Sequence, residues 1–367
     1  GPAPYLIDLL THSTTYPIHR PSLATHGDRF ARAGNKVSNG AYQLQQWVVQ
    51  SHVTLVRNPH FWDNEQTQID RVIYLPTEDL NAELKRYRAG ELDWTNDVPI
   101  TQMRWIRNNI PDQFHANLYL GSYYFGLNTT RPPFKDNIGL RHALSMVIDR
   151  DIITERVVGT GEVPAYGWIP PGTHNYQTQE PEWASWPMQR RIEEARRLYH
   201  EAGYSDDQPL ELELRYNTHE NHRKVSIAIA YMWRQALGVR VRLINEEFKV
   251  FLTTRRLKQY TQAFRAGWIG DYNDAYTFAE ILHSRHGLND SGYDSEEYDA
   301  LLAKAAAEAD VMRRREYLEA AERVMIEDHP IIPLYFYTTK RLVRPHVTGW
   351  QGNIMDHHLT RHMRIER

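Results

Sequence analysis

Leu210-Glu211-Leu212-Glu213-Leu214-Arg215-Tyr216 places an apolar residue at every second position, the period of a strand with one buried face. The run from about Arg223 to Leu237 follows as a helix closed by Gly238. Val239, Val241 and Leu243 then alternate with Arg240 and Arg242 as a second strand. A strand, a helix and a strand in that order form a crossover unit, so this region is read as the centre of an α/β lobe.

Working outward, Asp136 is positioned to cap a helix whose apolar face is Leu140, Ala143, Leu144, Val147 and Ile148, at spacings of three and four. Another helix carries Ile192, Ala195, Leu198 and Ala202 inward and stops at Gly203. Beyond the crossover unit, helices are expected over roughly 295–308 and 311–328, the first opened by Asp294 with Glu297 three residues on. Ile331-Ile332-Pro333-Leu334-Tyr335-Phe336-Tyr337 reads as a buried strand. Toward the N-terminus, residues 42–57 lie between the turn signals Asn39-Gly40 and Asn58-Pro59 and read as two short strands or a hairpin. Val72 to Leu75 is a strand closed by Pro76, and Leu80 to Arg88 a helix ended by Gly90.

The chain has 367 residues, beyond the length at which one core keeps growing, so two lobes are expected. A net charge of −3 with scattered Lys and Arg argues against nucleic acid as a partner. No run approaches the roughly 18 to 20 apolar residues that cross a bilayer. With no cysteine, disulfides, thiolate catalysis and Cys-based zinc sites are excluded together. His358 and His362 would share a helix face but lack a third ligand, so no metal is expected. The sequence holds no Gly-x-Ser-x-Gly elbow, no His-Glu-x-x-His helix and no Walker loop, and Glu246-Glu247 would point apart. Neither an enzyme nor a cofactor is therefore expected.

The densest chemistry lies in Phe264-Arg265-Ala266-Gly267-Trp268-Ile269-Gly270-Asp271-Tyr272-Asn273, preceded by Phe248, Leu252 and Arg255. Two arginines, a carboxylate, aromatic rings and glycines that admit close approach suit a ligand charged at both ends. Each residue also has an ordinary role open to it. Asp271 fits a turn, Arg265 and Arg255 fit a surface, and Trp268 and Phe248 fit a core.

Ser38-Asn39-Gly40-Ala41-Tyr42-Gln43-Leu44 and Arg57-Asn58-Pro59-His60-Phe61-Trp62 resemble the strand-turn signature of the bacterial oligopeptide- and dipeptide-binding proteins, family 5 of the solute-binding proteins. Pro133-Phe134-Lys135-Asp136, Arg141-His142-Ala143-Leu144 and Ile148-Asp149-Arg150 continue the likeness, which runs from about residue 4 to the C-terminus. The resemblance implies a two-lobe α/β fold of the type II periplasmic-binding-protein kind that closes on an extended peptide and delivers it to an ABC permease. By position, Asp271 matches the carboxylate that receives the peptide's ammonium group. Arg265, Arg255 and His222 match positive groups near the peptide's carboxylate. Trp268, Phe248 and Leu252 wall the side-chain pockets, with Ile269 and Gly270 beside them. A regulator domain or interaction module on the same fold is the alternative.

The resemblance also implies that residues 21–122 with 338–367 form an incomplete first lobe and 123–337 the second. Residues 1–20 would then be the remnant of a small domain. The family's N-terminal segment is missing here, through cleavage or truncation, a second complementing chain, or a natural short form. No signal peptide is visible in this chain, and the periplasm or a cell-surface lipoprotein is the expected setting.

Overall fold

The computed structural model describes residues 3–258 and 262–366. The chain divides into two compact units, Ser13–Asn117 with Thr339–Arg367 and Gly1–His12 with Leu118–Thr338. The first twelve residues thus belong with the larger unit and not with the segment that follows them.

In the smaller unit, β1 (Tyr42–Val48), β2 (His52–Arg57) and β3 (Arg71–Tyr74) form an antiparallel sheet in that order. The stretch 42–57 is a hairpin, with a register shift between Leu44 and Gln46. Asn58 explains the turn signature on both sides of it. Fully buried, its amide donates to the Ser38 and Gly40 carbonyls at 3.1 and 2.8 Å, while its Oδ1 accepts from the His60 N–H. One short polar side chain thereby satisfies backbone groups on both flanks of the hairpin. Helices α1 (Leu80–Arg88) and α2 (Met103–Asn109) close a separate core of Leu84, Tyr87, Val98, Met103, Ile106 and Leu342.

The larger unit is built on a six-stranded sheet of β4 (Phe114–Leu127), β5 (Val163–Pro164), β6 (Glu211–Asn217), β7 (Arg240–Glu246), β8 (Ala263–Ile269) and β9 (Ile331–Leu342), in the order β5-β9-β4-β8-β6-β7. Its principal helices are α3 (Ile138–Met146), α4 (Met188–Glu201), α5 (Glu220–Leu237), α6 (Phe248–Leu257), α7 (Glu296–Ala307) and α8 (Val311–Asp328). Strands β6 and β7 pair in parallel through the crossover helix α5, which ends at Gly238 with φ of 72°, a left-handed conformation that glycine adopts without a Cβ penalty. Alternation in β6 buries Leu212, Leu214 and Tyr216. The two leucines join a core around Phe125, Leu144, Leu334 and Trp233, whose indole N–H donates to the Leu144 carbonyl at 2.7 Å.

Two helix starts fall one residue later than the sequence reading placed them. Asp136 has φ of 54° and leaves the cap to Asn137, whose side chain accepts from the Leu140 N–H. Ser295, not Asp294, accepts from the Tyr298 N–H. In both cases the capping oxygen must reach the third N–H of the helix from a non-helical residue, and neighbouring Asp-Asn and Asp-Ser pairs offer that geometry at two adjacent positions.

Strands β4 and β8 carry the chemistry, and glycine sets how they pack. Gly126 pairs with Phe264 across the ladder, and a Cβ there would come within 2.1 Å of the Phe264 ring. The missing side chain lets that ring lie against the neighbouring strand, fixing the face on which its successor Arg265 cannot point.

Candidate functional site

The antiparallel register of β4 and β8 sets Phe125 against Arg265, Tyr123 against Gly267 and Ser122 against Trp268. Because side chains alternate along a strand, Arg265, Gly267 and Ile269 share a face with Tyr123 and Phe125, while Phe264, Ala266 and Trp268 point the other way. Tyr337 of β9 reaches the same face as Arg265, and a Cβ on Gly267 would lie 2.6 Å from its hydroxyl oxygen. Glycine at 267 therefore makes room for the contact between Arg265 and Tyr337.

The Arg265 guanidinium donates to the Tyr337 hydroxyl at 2.9 Å and to Asn217 Oδ1 at 3.3 Å, and it lies 4.7 Å from the centre of the Tyr123 ring. Its Nε is enclosed without a partner. Among the described residues, no carboxylate pairs with it. Burial pushes the Tyr123, Tyr335 and Tyr337 phenols above their ordinary range, so all three stay neutral and offer only dipoles. Arg150 makes the contrast. Also buried, it has Nε and both terminal nitrogens engaged, by the carbonyls of Ala165, Pro333, Ser145 and Ile148 and by the Ser145 hydroxyl. Neither arginine has a carboxylate partner among the described residues, but Arg150 has Nε and both terminal nitrogens hydrogen-bonded, whereas Arg265 leaves its Nε unpartnered among phenols and an amide, where an anion would complete its contacts.

Helix α5 begins beside this charge. His219 caps it and packs at a tilt against His222, ring centres 4.7 Å apart, and the His222 Nδ1 lies 3.4 Å from the Tyr123 hydroxyl. Sequence reading treated His222 as a positive group. Burial, reinforced by the charges of Arg265 and His219, pushes its pKa down to about 2, so it is neutral and contributes hydrogen bonding, not charge. The helix N-terminus itself adds partial positive charge near Arg265.

Asp271 follows the end of β8. Its side chain is 50% exposed and lies 3.9 Å from His12. Beneath it, the buried Asp274 holds Arg314 through two bonds of 2.7 Å, and Tyr5 stacks on Tyr276 and Tyr272. Glu280 is pushed up to about 7, by burial first and then by the negative charges of Asp271 and Asp274. A carboxyl whose pKa is higher in the folded than in the unfolded protein stabilises the fold fully below its unfolded value of about 4.3, and that contribution is lost as pH rises through 7. Stability is therefore expected to fall between pH 5 and pH 8, and Glu280→Gln to flatten that fall. Urea unfolding of both proteins at the two pH values measures it, and an unchanged pH dependence would refute the assignment.

The remaining predicted residues are dispersed. Arg255, on α6, packs near Phe251 and Phe264 and pairs with the buried Asp290 at 2.5 Å, so its charge is matched within the chain and it stands on the face opposite Arg265. Trp268 shares that opposite face, with its indole nitrogen enclosed and unpartnered. Phe248 is 53% exposed at the start of α6, and Leu252 is half-buried. Ile269 is partly exposed beyond Arg265, and Gly270 is approached closely by Leu120, within 2.6 Å of where a Cβ would stand. In the tail, His358 stacks on Trp350 and bonds Asp356 at 2.8 Å. The sequence reading missed Tyr123, Tyr335, Tyr337, Asn217 and His219 because strands remote from Arg265 bring most of them in.

The profile of the bacterial extracellular solute-binding proteins, family 5 Middle, matches residues 1–289. A periplasmic oligopeptide-binding protein of Escherichia coli is 39% identical over 366 residues, 99% of this chain and 67% of its own length. Its Salmonella typhimurium counterpart is 40% identical, over 96% of this chain and 64% of its own length. Among solved structures, the Escherichia coli murein tripeptide binding protein superposes with a TM-score of 0.83 at 36% identity, covering 99% of this chain and 71% of that one. The Haemophilus influenzae oligopeptide-binding protein in complex with RPPGFSPFR gives 0.79 at 34% identity, covering 100% and 72%. The chain thus spans about two thirds of the length of these curated relatives.

Proposed function

Because the chain belongs to the bacterial extracellular solute-binding proteins of family 5, we propose that it forms the greater part of a protein that captures short peptides outside the cytoplasm, in the periplasm or at the cell surface, and hands them to an ABC permease. The family consists of binding proteins, not enzymes. The observation that carries this reading is Arg265, a guanidinium enclosed at Nε, surrounded by neutral phenols and an amide, and lacking a carboxylate among the described residues. A peptide's terminal carboxylate supplies the missing charge.

Asp271 takes the ammonium end in this reading. It stands six positions on from Arg265, at most about 20 Å of extended chain, so the two groups span a few residues of peptide. Main-chain bonding between them accounts for affinity with little regard to side chains. Phe248, Leu252, Ile269 and Gly270 wall side-chain pockets, Trp268 stands on the other face of β8 and would reach the ligand only past the strand's end, and His222 is a neutral hydrogen-bonding neighbour. Arg255 joins only if Asp290 releases it.

Native mass spectrometry of the protein as purified from cells tests the proposal. Adducts with the masses of short peptides are expected. An adduct of nickel, haem or sugar mass that resists displacement by added peptide would overturn it.

A further inference from the structure

Asn39-Gly40 is the single Asn-Gly pair in the sequence, and it lies just ahead of β1, which begins at Tyr42. The Asn39 side chain is exposed, and among the described residues no hydrogen bond holds its amide. Gly40 presents its nitrogen with no Cβ to obstruct an approach. Its N–H donates to the Ser38 hydroxyl at 3.1 Å and takes no part in the ladder of β1 and β2. Neighbouring asparagines lack this combination. Asn35 donates to the Arg29 carbonyl at 3.0 Å and precedes Lys36, while the buried Asn58 precedes Pro59, which has no N–H to react.

We propose that Asn39 is a site of spontaneous deamidation, and that isoaspartate formed there opens the hairpin clamp built on Asn58. The Gly40 nitrogen gives its proton to solvent and bonds to Asn39 Cγ. The Cγ–Nδ2 bond breaks, and the amide nitrogen takes up a proton and leaves as ammonia. Water then opens the cyclic imide at either carbonyl, leaving aspartate or isoaspartate. In isoaspartate the chain runs through the former side chain, which inserts an extra backbone carbon between residues 39 and 40. Asn58 Nδ2 bridges the carbonyls that flank this insertion, those of Ser38 and Gly40, at 3.1 and 2.8 Å. The two acceptors cannot both keep their spacing, so a fully buried amide loses a partner and the turn leading into β1 loosens.

The test ages the folded protein at mildly alkaline pH and maps it by mass spectrometry with a fragmentation that separates isoaspartate from aspartate. Acid is expected at position 39, with Asn35 and Asn58 still amides. Asn39→Gln should show no conversion there. Gly40→Ala should keep the Asn39 amide and the fold together, because a Cβ at 40 meets Ser38 Oγ at 3.4 Å, an ordinary contact. The isoaspartate form, isolated by ion exchange, should unfold at a lower urea concentration than the unmodified protein, and the amides of β1 and β2 should exchange faster with solvent. Asn39 left intact in the aged folded protein, or conversion as fast in Gly40→Ala, would overturn the site. An isoaspartate form as stable as its parent would overturn the opening of the clamp. None of these outcomes bears on the peptide reading.

Discussion

Replacing Arg265 with methionine is expected to weaken binding of a peptide with a free C-terminal carboxylate by about two orders of magnitude, roughly 3 kcal/mol. A C-terminally amidated version of the same peptide should bind the two proteins alike. The magnitude follows from the surroundings of the guanidinium. Tyr337 and Asn217 orient it, Tyr123 lies under it, and no acid among the described residues neutralises it. A ligand carboxylate would thus be its first full counter-charge, in a setting with little water to screen the pair. Methionine keeps much of the apolar stem and removes the charge, so calorimetry with the two peptides isolates the ionic contact. Equal losses for both peptides would show that Arg265 acts through packing and never meets the carboxylate.

The second large effect concerns stability. Asp274→Ala is expected to cost about 3–5 kcal/mol, because it strands the buried guanidinium of Arg314 without its two-pronged partner. The Nε of Arg314 already lacks a partner, so nothing within the protein takes over. Combining Asp274→Ala with Arg314→Met should recover much of the loss, since removing both charges eliminates the stranded one. Urea unfolding of the single and double variants measures this. A single variant within 1 kcal/mol of the parent would show that water reaches the site. The pair lies under the loop that presents Asp271, so the single variant should also loosen that loop.

Much of this architecture could be read from residue order. The alternation of Leu212, Leu214 and Tyr216 and the stop at Gly238 define β6 and the end of α5 to within a residue, because a period of two and a left-handed glycine are local properties, while α5 begins three residues before the expected start and β7 runs three residues past its alternating stretch. Caps slipped by one residue where two capable side chains stand together. The chemistry was legible only as a composition. Nothing near Arg265 in sequence announces Tyr337, 72 residues away, or separates a free arginine from one already paired, as Arg255 is with Asp290. The run Ile331–Tyr337 looked purely like core, yet its last tyrosine turns its hydroxyl to the guanidinium. His222 resembled a cation until its burial and its charged neighbour were known.

The aromatic cage of Arg265 has a consequence for life in a compartment whose acidity follows the surroundings. Neither the guanidinium nor its phenols exchange protons between mildly acid and mildly alkaline conditions. In the peptide-binding role proposed for it, Arg265 would therefore hold a ligand's acidic end equally well through an acid shock. Any sensitivity to such a shock enters from the opposite end, where Glu280 takes up a proton and the negative field around Asp271 weakens.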